Sequence, residues 1–188
     1  DVCSSDLVFL DYSSADVKDP NRTEPVEDLR EMLRVVQPEV IYTHNPADKH
    51  DTHVAVLMRV LNALRQLPAG ARPKEFYGCE VWRDLDWLCD TDKEVLDVSA
   101  HPNISAALLG VFDSQICGGK RYDLAASGRR RANATFFASH ATDTAEAVTF
   151  AMNLMPLLDD PELTPEAYVG SLIDAFAEDV KGRIAKLK

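Results

Sequence analysis

Short apolar runs alternate along this chain with longer stretches in which apolar residues recur every three or four positions. The runs that predict buried strands are "LVFLDY" (7–12), "EVIYTH" (39–44), "EFYGCEVW" (75–82) and "EVLDVS" (94–99). Strands separated by helical patterns are typical of sheets whose strands are joined by crossover helices. The pattern therefore predicts a single α/β domain with three layers and a mostly parallel sheet.

Helical spacing appears in four places. The first two apolar faces are Val26, Leu29, Met32, Leu33 and Val36, and then Val56, Leu57, Val60, Leu61 and Leu64. Pro38 should end the first of these helices, and Asp51 or Thr52 can cap the second. A third helix is expected over "ISAALLGVFDSQI" (104–116). The Thr-Pro pair at 164–165 predicts the start of a C-terminal helix that runs nearly to the chain end.

Composition narrows the possible partners and location. The chain has 188 residues, of which 46% are hydrophobic, enough for one core. Its 20 basic and 31 acidic residues give a net charge of -11, which argues against nucleic acid as a partner. Neither a membrane-spanning run nor a signal peptide is recognisable, so a cytoplasmic location is expected. The four cysteines lack a C-x-x-C pair and predict neither a zinc knuckle nor a disulfide framework.

Candidate metal-binding or catalytic residues cluster in the segment "THNPADKHDTH" (43–53), which holds three of the five histidines. His44, Asp48, His50 and His53 fall between a predicted strand end and the first turn of the next helix, where α/β proteins bind ligands. His50 and His53 are three residues apart and can face a common point. Imidazole is a common zinc ligand, and a carboxylate can orient it through its second nitrogen. The alternative is a polar loop that merely caps a helix.

Two histidines do not complete a catalytic zinc site, which usually needs three protein ligands and an open position. His101 precedes a proline in a predicted loop, and a surface role is favoured. His140 follows a possible strand, and a structural or solvent-facing role is favoured. Neither residue lies in a sequence pattern that marks a metal ligand. The residues alone therefore leave the zinc site incomplete.

Four segments together resemble the PIG-L or LmbE-like deacetylases: "EVIYTHNPADKHDTHVAV", "GCEVWRDLDW", "FDSQICGGKRYD" and "GRRRANATFF". The resemblance covers the chain from about residue 8 onward. It implies a Rossmann-like α/β fold and a zinc enzyme that removes acetyl groups from N-acetylglucosamine-type small molecules. The expected domain is therefore 8–188.

The resemblance also implies roles for individual residues. In that family an A-H-P-D-D-E motif supplies two zinc ligands and a general base, and a later H-x-x-H motif supplies the third ligand. His50-Asp51-Thr52-His53 matches the second motif, which makes His53 the zinc ligand and places His50 near the reacting carbonyl. The orienting carboxylate is Asp51 or Asp48, because Asp-Thr stands where relatives often have Pro-Asp.

The first motif does not occur in this sequence. The opening "DVCSSDL" (1–7) matches the translation of a string that looks like the end of a sequencing adapter. We therefore expect a non-native leader at 1–7 and a domain that is incomplete at its N-terminus, without its first strand and metal-binding motif. Such a fragment is expected to bind zinc weakly at most and to be inactive. Its exposed strand edges and apolar side chains should make copies of the chain associate, with homo-oligomers as one possible form.

A basic cluster, "GGKRYDLAASGRRR" (118–131), stands out in an acidic chain. Arginine side chains suit carboxylate or phosphate groups, so Arg121 and Arg129 could bind an anionic group of the substrate, with Tyr122 beside them. The alternative is a solvated basic face that pairs with the protein's own acids. Two other function classes remain open: a metal-dependent phosphoesterase, which also uses His and Asp at strand ends, and a non-catalytic carbohydrate-binding domain.

Overall fold

The computed structural model describes residues 7–188, so the predicted leader at 1–7 lies, apart from Leu7, outside the described residues. The described chain contains both helices and strands, and two of its strands run parallel, which confirms the α/β class. The described residues form two compact units, which comprise 7–83 with Asn153–Ser171, and Asp84–Met152 with Leu172–Lys188.

The elements fall in the following order. They are α1 (Ser14–Lys18), α2 (Glu24–Val36), β1 (Val40–His44), α3 (Asp51–Arg65), β2 (Glu75–Cys79), β3 (Lys93–Asp97), α4 (Pro102–Gly110), α5 (Asp113–Cys117), α6 (Tyr122–Phe136), β4 (Val148–Asn153), α7 (Pro156–Asp159) and α8 (Pro165–Ala185). Short 3₁₀ turns occupy Ala69–Ala71 and Asp90–Asp92. None of the helices in the described part of the chain is long and apolar enough to cross a membrane.

Helix α3 is the centre of the first unit. It packs against α1, α2, β1 and α7. Leu57, Leu61 and Leu64 of its predicted apolar face are fully buried, as is Phe76 of β2. Burial of such side chains contributes about 1.5–3 kcal/mol each, so this face fixes the orientation of α3 and of the residues at its start.

Strands β1 and β2 run parallel, with His44 opposite Cys79 at their carboxyl ends. Gly78 lies against the residue that follows β1: a Cβ there would be 2.9 Å from Cα of Asn45. Only glycine permits this approach, since real Cβ atoms do not come so close to backbone. The loop after β1 is thereby held against the end of β2, which positions the candidate site.

The second unit contains an antiparallel pair, β3 and β4, with Lys93 opposite Met152 and Asp97 opposite Val148. Helix α6 packs against α4 and α5, and Nδ2 of its buried Asn133 donates a hydrogen bond to the Val148 carbonyl at 3.2 Å. The prediction of a mostly parallel sheet did not anticipate this pair, because a short apolar run does not reveal the direction of its strand.

Several local predictions were wrong. Residues 7–12, predicted as a strand, lie outside any helix or strand, and Phe9 is 82% exposed. A strand is stable only when a neighbour pairs with it, and within 7–188 no strand pairs with this segment. The helix expected over 104–116 is divided into α4 and α5. The possible strand before His140 is instead the end of α6.

Candidate metal centre

Asn45 fixes the loop that carries the candidate residues. It is fully buried. Its Nδ2 donates to the carbonyl of Cys79 at 2.8 Å, and its Oδ1 accepts from the Ala47 N–H at 3.0 Å. The Asp48 N–H donates to the Asn45 carbonyl at 3.3 Å. These bonds satisfy buried polar groups and join the loop to the end of β2.

The first turn of α3 brings His50 and His53 together. His50 is the N-cap residue, where Asp51 or Thr52 had been expected, and its carbonyl accepts from the His53 N–H at 2.9 Å. Its own N–H donates to Oδ1 of Asp48 at 3.0 Å. The helix start is therefore tied to Asp48, and the spacing of three places the two imidazoles beside each other, as the sequence indicated.

Three side chains bring possible metal-binding atoms to one place: His44 at the end of β1, Asp48 in the loop and His53 in α3. These atoms lie within 4.8 Å of one another. Nδ1 of His53 is 2.9 Å from Oδ2 of Asp48, whose side chain is completely buried. The rings of His44 and His53 are stacked, with centroids 3.9 Å apart and planes inclined by 6°.

The ring of His50 extends this arrangement. Its centroid is 4.5 Å from that of His53, and the two planes are inclined by 22°. His50 is exposed, whereas His53 is partly buried. The three imidazoles thus form a stack with His53 in the middle and His50 on the solvent side.

Charge and burial favour the metal-binding protonation states. Burial lowers the pKa of His44 below its ordinary value, and the charge of His53 lowers it further, while Asp48 opposes both effects. Burial raises the pKa of Asp48, but hydrogen bonds from His53 and from the backbone N–H of His50 outweigh it, and the pKa is lowered overall. A neutral imidazole and an ionised carboxylate are the forms that bind a cation.

The donor set suits zinc. Two imidazole nitrogens and a carboxylate oxygen are ligands that zinc takes in proteins, and three protein ligands leave a further position open. A carboxylate that accepts a hydrogen bond from the second nitrogen of an imidazole is also the usual outer partner of a metal-binding histidine. Asp48 can therefore serve as a ligand or as the group that orients His53.

The structure brings together Asp48, His50 and His53 of the predicted site residues. His44 lies at the predicted strand end, but neither the residue spacing nor the resemblance assigns it as a ligand. The signal that could have identified it is its place as the last residue of β1, next to the loop. Asp51 is the exposed first residue of α3, and its expected role stays a prediction.

The predicted substrate-binding residues Arg121, Tyr122 and Arg129 belong to the second unit. Arg121 binds the carboxylate of Asp123 through two nitrogens, at 2.9 and 2.7 Å. Nε of Arg129 is 2.9 Å from Oδ2 of Asp84. Nζ of Lys120 lies 5.9 Å from the ring centroid of Tyr122. Pairing with the protein's own acids is what the alternative interpretation expects, and the role in substrate binding stays a prediction.

Comparisons with known proteins support the fold alone. No family model matches the sequence, and no curated protein matches it. Among solved structures the chain is similar to the conserved protein TT1542 from Thermus thermophilus, with a TM-score of 0.55 and 18% sequence identity. The similarity covers 80% of this chain and 66% of TT1542, so this chain spans slightly less than two thirds of that protein.

Proposed function

We propose that His44 and His53 bind a zinc ion through ring nitrogens, that Asp48 orients His53, and that the chain carries the metal centre of a zinc-dependent hydrolase. The observation that supports this most strongly is the 2.9 Å contact between Nδ1 of His53 and Oδ2 of Asp48. A proton on Nδ1 leaves the lone pair on Nε2, so the buried carboxylate selects the tautomer that binds a metal. A solvated loop that only caps a helix has no need for this pairing.

When bound, zinc would supply Lewis-acid activation of a water molecule or a carbonyl group. The protein residues have separate tasks. Asp48 keeps the ring of His53 in one orientation, and burial favours the neutral form of His44. His50 is exposed beside His53, where a protonated imidazole can donate a hydrogen bond to a developing oxyanion and a proton to a leaving amine.

The proposed substrate is an N-acetylated amino sugar, and the reaction is hydrolysis of its acetamide bond. The support is the resemblance of the H-x-x-H segment, His50 to His53, to that of the PIG-L or LmbE-like deacetylases. The resemblance assigns other ligands to a motif that this sequence does not contain. We propose that His44 supplies a ligand in place of that motif, so we expect the chain itself to have slow zinc-dependent activity rather than none.

The experiment compares two substrates with the zinc-loaded chain. We expect zinc-dependent release of acetate from N-acetylglucosamine, lost in His53→Ala, and no release of phosphate from p-nitrophenyl phosphate. His50→Ala should keep its zinc and lose about 10² to 10⁴-fold in turnover, the usual range for a proton donor or oxyanion donor. Release of phosphate in place of acetate would identify a phosphoesterase. Bound zinc without either activity would overturn the assignment as a hydrolase.

A further inference from the structure

The second unit contains a cavity of about 210 Å³ whose lining comes from that unit alone. Charged and aromatic side chains share its wall, among them Lys93, Asp84, Arg129, Phe136 and Phe150. A ligand site is usually a concave surface with apolar walls and a few placed polar groups, and this cavity has both.

Lys93 is the unusual member of this wall, because its side chain is only 7% exposed. Nζ donates a hydrogen bond to Oδ1 of Asp90 at 2.8 Å and lies 5.0 Å from the ring centroid of Phe150. An ammonium group has three N–H donors, and within residues 7–188 this one has a single hydrogen-bond acceptor. The remaining N–H donors can each take an acceptor, so the cavity suits a ligand that offers acceptor oxygens beside Lys93.

The charges of the wall exclude an anion as the best ligand. Arg129 is joined to Asp84, with Nε 2.9 Å from Oδ2, and Lys93 is joined to Asp90. Asp86 adds a third carboxylate to the lining. Three carboxylates against two cations repel phosphate and other anions, whereas hydroxyl groups can both accept from the cations and donate to the carboxylates.

Aromatic rings supply the remaining part of the wall. Phe136 is 80% exposed and offers its ring to the cavity, whereas Phe150 is only 2% exposed and packs against Phe137 with ring centroids 5.6 Å apart. A flat apolar ring suits the C–H face of a sugar, while its hydroxyls reach the charged groups. We propose that this cavity binds a neutral monosaccharide in its pyranose form, independently of the metal centre.

The test is an NMR titration of the full chain with methyl α-glucopyranoside, which has no acetamide and so cannot be a substrate of the proposed reaction. We expect shifts confined to residues around the cavity and a dissociation constant on the order of 1 mM, as for a small polar ligand. Lys93→Met keeps the stem and should weaken binding about 10-fold or more, because it removes charged hydrogen bonds. Lys181→Met, at an exposed lysine paired with Glu178, is the matched control and should change nothing.

Phe136→Ala tests the aromatic wall at an exposed position where folding is not at stake, and it should weaken binding about 5-fold. Equal binding by wild type, Lys93→Met and Phe136→Ala would overturn the proposal. Displacement of the sugar by inorganic phosphate would also overturn it and identify an anion site. His53→Ala should retain sugar binding, so a failure of the zinc proposal and a failure of this one give different results.

Discussion

Nδ1 of His53 lies 2.9 Å from Oδ2 of Asp48, and the side chain of Asp48 is inaccessible to solvent. The other carboxylate oxygen accepts the N–H of His50 at 3.0 Å. One buried acid therefore fixes both the ring of His53 and the start of α3. Loss of its charge should weaken zinc binding more than it destabilises the fold.

Asp48→Asn should weaken zinc binding about 10 to 100-fold, the usual loss when an outer partner of a metal-binding histidine is removed. An amide cannot both accept from His53 and keep the negative charge near the metal. The measurement is zinc titration against a chromophoric chelator. Asp51→Asn, at the exposed first residue of α3, is the control and should leave the affinity unchanged. An unaltered affinity in Asp48→Asn would mean that Asp48 neither binds nor orients.

Arg59 should be the most costly arginine to replace in the first unit. It is 8% exposed, and its guanidinium donates to the carbonyls of Val17, Asp19 and Arg22. Arg59→Met keeps the stem but leaves these acceptors without their donor, so we expect a loss of about 2–4 kcal/mol in the free energy of unfolding. Urea unfolding measures it.

Arg34→Met is the matched control for that experiment. Arg34 pairs with Glu31 on the exposed surface of α2, and such pairs contribute little. Its replacement should change the free energy of unfolding by less than about 0.5 kcal/mol. Equal losses for the two variants would contradict the structural role assigned to Arg59.

Gly78→Ala should destabilise the protein, because the new methyl group would lie 2.9 Å from Cα of Asn45 and 3.2 Å from Cδ1 of Leu154. Overpacking of this kind costs about 1–3 kcal/mol. Gly170→Ala in α8 is the opposite case: nothing lies within 4 Å, and alanine should stabilise the helix by about 0.5–1 kcal/mol. Thermal melts of both variants test the contrast, and a neutral Gly78→Ala would show that the loop after β1 is not held as closely as described.

The metal-free protein should lose stability in mild acid through His44. Burial and the charge of His53 lower the pKa of His44 below its ordinary 6.5, so the unfolded chain takes up this proton first as the pH falls. The contribution is present above pH 6.5 and is lost as the pH falls through the pKa of the folded protein. His44→Gln should flatten the decline in unfolding free energy between about pH 7 and about pH 5.5, and His101→Gln should not. Parallel declines in all three proteins would contradict this account.

The sequence predicted the parts of the fold that depend on local patterns. Helices α2 and α3 and strands β1 and β2 follow from apolar spacing and from the prolines and polar residues that bound them. Helix α6 could not be predicted in this way, because its apolar pattern is weak and its "SGRRR" segment is typical of an exposed basic cluster. Segment 7–12 has the composition of a strand, but composition cannot supply a pairing partner.

In the candidate site, too, only some of the relationships between residues could be predicted from local sequence patterns. The pairing of His50 with His53 follows from the three-residue spacing in a helical turn. The place of His44 depends on the end of β1 and on a loop whose close packing requires Gly78, some thirty residues later. The choice of Asp48 over Asp51 as the partner of His53 depends on the loop conformation fixed by Asn45. These are tertiary relationships that no local pattern contains.

The proposed metal centre is tested most directly by the zinc affinity of the metal-free chain, measured by competition with a chelator for wild type and for single histidine variants. We expect each chain to bind a single zinc ion, and we expect His44→Ala and His53→Ala each to weaken binding about 100-fold or more, since each removes a ligand. His101→Ala and His140→Ala, at exposed positions, should bind as the wild type does. Wild-type affinity in both His44→Ala and His53→Ala would contradict the claim that these residues form a metal centre.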